Sequence, residues 1–159
     1  MKQSNFPYWT IFIGIVMLSG VALLFTQNQS KAISYAEGQV KVYSKPFNID
    51  QKYKSMEGPE DSRKFFISRG VGKEIVWVTG YESVIVDEKG SQEISQEFMC
   101  HSSIMNEGNH LFTLSQGQTS IEFPQGFGIP VEKGKTLTYL AQVLNHNDVS
   151  QPIDLRTRM

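Results

Sequence analysis

One short run, "FMCHSSI" (98–104), gathers the residue types of this chain best suited to chemistry. Its single cysteine, Cys100, lies between Met99 and His101, and His101 is one of three histidines. Thiolate, thioether and imidazole are ligands that suit copper, above all Cu(I). On an extended strand alternate residues share a face, which puts Met99 and His101 on one side with Met105. Phe98, Cys100 and Ile104 fall on the other. Cys100 then joins an ion only through a bulge or twist. The remaining histidines, His110 and His146, lie on other strands or at their ends, within reach only if strand pairing brings them close. The candidate metal set is therefore Met99, Cys100, His101 and His146, with copper as the candidate ion. The competing reading is a packed strand. Methionine fills core gaps, free cysteine is among the most buried residue types, and the run lacks paired CxxC or HxH spacing.

Other chemistries have less behind them. Ser102-Ser103 beside His101 lacks the GxSxG elbow of a nucleophilic serine. "GVG" (70–72) lacks the strand–helix context of a phosphate loop. "FPQGFGIP" (123–130) reads as a rigid turn, its glycines permitting positive φ and its prolines fixing the bend. No catalytic residue is assigned. Fifteen basic residues stand against sixteen acidic ones, for a formal charge of −1. The basic residues are scattered among acids, so no concentrated basic face for nucleic acid is expected.

The segment that must position this run relative to the cell is the N-terminal one. "TIFIGIVMLSGVALLFT" (10–26) carries no charge, and none occurs between Lys2 and Lys31. As a helix it reaches about 25 Å, close to a hydrocarbon core of about 30 Å. Tyr8-Trp9 precede it at the level of an interfacial anchor. Residues 1–32 are read as a signal anchor, with the alternative of a signal peptide cleaved after Ala32. Either places residues 33–159 outside the cytoplasm: behind a single membrane pass, or secreted or periplasmic. A lone cysteine there forms no internal disulfide, so Cys100 is expected to be buried, bound or bonded to a partner.

The exported part shows β-type runs at Ser34–Tyr43, Phe65–Ser68, Lys73–Thr79, Glu82–Asp87, Gln96–Ile104, His110–Leu114, Thr119–Phe123 and Thr136–Asn145. Breaks at "EGPEDS", "DEKG", "NEGN", "SQG" and "PQGFGIP" separate them, and Lys45 to Arg63 reads as a long loop. Short strands at such spacing predict an all-β, jelly-roll-like antiparallel sandwich behind one N-terminal transmembrane helix. Leu137, Tyr139, Ala141 and Val143 share one face of their strand, and Leu140, Leu144 and His146 the other. With neither face polar, a second layer, another domain or a partner is expected to cover it. "QPIDLRTRM" (151–159) starts a further strand, which suggests a domain shortened at its C-terminus.

At "SQEFMCHSSI" (95–104), "LFTLSQGQTSIEFPQGFGIPV" (111–131) and "AQVLNHN" (141–147) the chain resembles the stress-up-regulated nodulin-like proteins of plants and bacteria. More distantly it is similar to the N-terminal domain of copper type II, ascorbate-dependent monooxygenases. That resemblance implies a jelly-roll domain whose copper passes electrons, held by a His-His pair and a histidine from a later strand. Cys100-His101 stands where the pair would be, Leu144 where the later histidine would be, and His146 two residues on. The second, catalytic copper domain has no counterpart here, so catalysis by this chain alone is not expected. Three readings follow: a structural or interaction module, a copper-binding domain, or the non-catalytic half of a monooxygenase-like assembly. The partners expected are the membrane, through the N-terminal helix, and a protein partner or second domain.

Overall fold

Runs of β-branched and aromatic residues punctuated by glycine turns leave the chain little choice but strands. The computed structural model describes residues 32–36, 38–68 and 74–159. The segment 1–31, with the apolar span 10–26, lies outside the described residues, as does "GVG". Among the described residues no helix is long and apolar enough to cross a membrane.

In chain order, β1 (Ile33–Ala36) and β2 (Gln39–Val42) form a hairpin, followed by β3 (Phe47–Ile49) and β4 (Glu60–Phe66). Then β5 (Ile75–Val78), β6 (Gly80–Glu82) and β7 (Val84–Asp87) succeed one another, broken only at Thr79 and Ser83. A 3-10 turn (Gln96–Phe98) leads into β8 (Met99–Asn106) and β9 (Asn109–Ser115), with β10 (Ser120–Glu122) and β11 (Ile129–Glu132) after them. The long β12 (Thr136–Val143) and the final β13 (Ile153–Arg158) complete the set.

Among the described residues every ladder is antiparallel. One layer is the sheet β4-β12-β8-β9; facing it are β3-β13-β7 and the pairs β10-β6, β11-β5 and β1-β2. The last pair is tied to β13, because Val42 and Met159 exchange backbone bonds of 3.0 and 2.9 Å. Between the layers lie two apolar clusters. The larger joins Phe65, Ile104, Phe112, Leu114, Leu137, Tyr139 and Ala141 of the four-stranded sheet to Val42, Tyr81 and Val131 opposite. The smaller joins Met99 and Val143 to Phe47, Ile49, Ile85, Phe98 and Leu155. The all-β, antiparallel, sandwich-like expectation therefore holds.

Boundaries differ from the sequence reading in three of the places that follow, each with a local cause. Ser34–Tyr43 is two strands, because Gly38 at φ +70° reverses the chain. The expected loop from Lys45 to Arg63 contains β3 and the start of β4, whose short, polar runs hide their pairing. The "PQGFGIP" break ends inside β11, where Pro130 is tolerated because, among the described residues, β11 pairs only with β5. "QPIDLRTRM" does form a strand, and β13 pairs with β3 on one side and β7 on the other. The "NEGN" break is the β8–β9 turn; Glu107 and Gly108 both take positive φ, 50° and 86°, as a type I′ hairpin requires.

Candidate functional site

Strand β8 carries the soft-ligand run, and its pairing with β12 decides where each side chain goes. Register runs regularly from Leu137↔Asn106 to Gln142↔His101, then shifts so that Val143 pairs with Met99. Cys100 is the extra residue of a β-bulge. Cross-strand partners share a face, and Gln142 and Val143 point to opposite faces. His101 therefore lies with Gln142 on the outer face, while Met99 lies with Val143 on the inner face. The expectation that Met99 and His101 share a side is overturned by the one-residue bulge between them.

Met99 is 1 % exposed, packed in the smaller apolar cluster. Cys100 is buried, its Sγ 3.8 Å from the Ser55 hydroxyl. His101 is half-buried beside Gln142 and Ser115. His146 is exposed, four residues beyond the Gln142 that pairs with His101, on the order of 13 Å of extended chain. His110 is exposed too, its Nδ1 3.3 Å from the Thr113 hydroxyl. Among the described residues no three His, Cys, Asp or Glu side chains are grouped as a metal site.

The covering expected over β12 is supplied in part by the chain itself. Gln142, buried, donates from Nε2 to the Gly58 carbonyl at 2.9 Å, so the segment before β4 folds over the outer face there. A Cβ on Gly58 would come 1.9 Å from the Val143 carbonyl oxygen, so only glycine allows that approach. Asp61, at the start of β4, accepts from the Lys45 backbone N–H at 2.8 Å and from Arg63 Nε at 2.7 Å, pinning β3's approach to the sheet.

Between the layers the polar contacts are few. Tyr81 donates to Ser102 at 2.8 Å, and the Ser83 and Tyr139 hydroxyls meet at 3.0 Å. Burial pushes the Tyr139 phenol up to about 12, against the partial relief of Ser83. Burial raises Tyr81 further, with Tyr139 nearby adding to the effect. These groups stay neutral under ordinary conditions and act as struts, not acids or bases.

Elsewhere one layer is interrupted. A cleft of about 1150 Å³ opens between the β1–β2 hairpin and β5–β6, with Phe65, Ile104, Phe112 and Leu137 among its lining residues. Tyr35 and Trp77 also line it, and Trp77 is 61 % exposed. That volume lies just above the range of small-molecule pockets, about 300 to 1,000 Å³, as for an open groove. The sequence does not group these residues, because β1–β2, β5–β6 and β12 meet only through long-range packing.

Fold and cleft together define a class: an antiparallel, sandwich-like all-β domain with an open cleft in one layer and apolar side chains at the base of that cleft. Compared with known proteins, the chain matches no family model, no curated protein and no solved structure.

Proposed function

We propose that this chain is an anchored binding module that works outside the cytoplasm by holding a partner in the cleft that interrupts one of its layers. The observation that carries the reading is that cleft: large, open, apolar at its base and flanked by exposed Trp77. A domain that needed only to fold would close such a gap, since apolar surface left in water costs about 25 cal/mol per Å². Residues 1–32 supply the anchor in this reading, with the span 10–26 as a single membrane helix, and the two layers form a jelly roll. The wording of 95–104, 111–131 and 141–147 supports placing the chain beside the nodulin-like group.

Two experiments test it. Protease added outside intact cells should digest the domain, while a tag before Lys2 stays protected; a protected domain would reject the location. A photo-crosslinking residue at Lys41, which lines the cleft, should give a discrete polypeptide adduct in cells. The same residue at exposed Glu88 should give none. Equal labelling at both positions, or no adduct at Lys41, would reject binding through the cleft.

A further inference from the structure

The cleft has the shape and the hydrogen-bonding walls of a missing β-strand. At the end of β13, Arg158 pairs with Val84 of β7 on one side and bridges Tyr43 on the other. Two strands that flank a third are about 9.6 Å apart, twice the ladder spacing. Beyond this level β2 and β6 face one another across the cleft, and among the described residues no strand lies between them.

The ladder alternation shows where the flanking backbones point. Ser83 N–H and the Thr79 carbonyl bond towards β10, so these odd positions are spent on that side. Gly80 and Glu82, in line with the Val84 that pairs β13, turn their N–H and C=O groups into the cleft. Opposite them, Val42 bonds Met159 and Tyr43 bonds Ala32 towards β1, so Val40 faces the cleft in its turn. Val40, Gly80 and Glu82 thus offer three donors and three acceptors in strand register. Below lie Phe65, Ile104, Phe112 and Leu137, the floor that Met159 already packs against.

We infer that the cleft takes an extended strand from another polypeptide, inserted in line with β13 and antiparallel to both β2 and β6. Its alternate side chains are apolar and cover the floor; those between face solvent. A lipid or other small apolar ligand would cover the floor but leave the six backbone groups of the walls without partners, which is costly. Paired on both sides, the inserted strand removes two open edges at once. The inference rests on the binding reading above and specifies its partner.

The test uses the full chain in nanodiscs and a synthetic peptide of alternating valine and threonine with a lysine at each end. Hydrogen exchange is followed at the amides of Val40, Gly80 and Glu82. The peptide should slow all three by about tenfold or more. The same peptide N-methylated at alternate amides keeps its side chains but loses its donors, and should not. Unchanged exchange, or equal slowing by both peptides, overturns strand insertion. So does exchange slowed by a fatty acid as well as by the peptide. Should the Lys41 adduct form while the peptide has no effect, insertion fails and cleft binding stands. Loss of both results removes both.

Discussion

Met99 and His101, two residues apart on one strand, lie on opposite faces of their sheet, because Cys100 between them is a β-bulge. The apparent soft-metal cluster is divided by that single residue into a core methionine, a buried thiol and an outer imidazole. Cu(I) titration of the full chain under reducing conditions should therefore give no tight site shared by Met99 and His101. Substituting His101→Ala should leave any binding curve unchanged within error. Stoichiometric binding that weakens about tenfold, or about 1.4 kcal/mol, in the variant would restore the copper reading.

The Cys100 thiol should label slowly in the native protein and at the rate of a free thiol in denaturant, since it is buried against Ser55. Native labelling as fast as denatured labelling would show that the bulge opens to solvent.

Gly58 should be irreplaceable. A methyl group there would be driven into the Val143 carbonyl, which is backbone and cannot swing aside. Gly58→Ala is expected to cost about 2–4 kcal/mol, read as a lower urea midpoint at constant slope. A variant as stable as the parent would mean that the segment over Gln142 is not held as described.

The Tyr81–Ser102 bond gives a paired test. Ser102→Ala removes one hydrogen-bond partner of the buried Tyr81 hydroxyl and should cost about 1–3 kcal/mol. Adding Tyr81→Phe should recover part of that loss, since removing both partners is cheaper than removing one. A strictly additive double variant would deny the coupling.

Stability should fall at high pH through Tyr139. Its folded pKa of about 12 lies above the ordinary tyrosine value of 10.0. The native state therefore holds the proton more tightly, and the stabilisation is fully present below about pH 10. It is lost as pH rises towards the folded value, on the order of 3 kcal/mol in all. Tyr139→Phe should flatten that alkaline decline, followed by chemical denaturation between pH 8 and about 12. An equally steep decline in the variant would place the effect elsewhere.

Much of the fold was legible. The alternation set Leu137, Tyr139, Ala141 and Val143 on one face of β12, and all four are core residues. The "NEGN" and "DEKG" breaks are turns, with Gly90 and Gly108 at positive φ. Where the reading failed, local pattern was too weak to compete with partners far along the chain. β3 and β13 are neighbours through pairs such as Ile49↔Ile153, and nothing near either run announces the other. The expectation that Met99 and His101 share a face failed for a related reason. Period-two alternation assigns faces correctly until one inserted residue flips everything beyond it, and bulges leave no mark in composition.

The sequence by itself determined that the described part would be built of short antiparallel strands. Side-chain branching, alternation and turn glycines act over a few residues and are written locally. Only the tertiary structure decided that Cys100 would be the bulge, that Gly58 would cross Val143, and that β2 and β6 would line one cleft. Those are consequences of which strands meet. Register between segments tens of residues apart is set by the packing of the whole core, where each pairing is worth little until the others have formed.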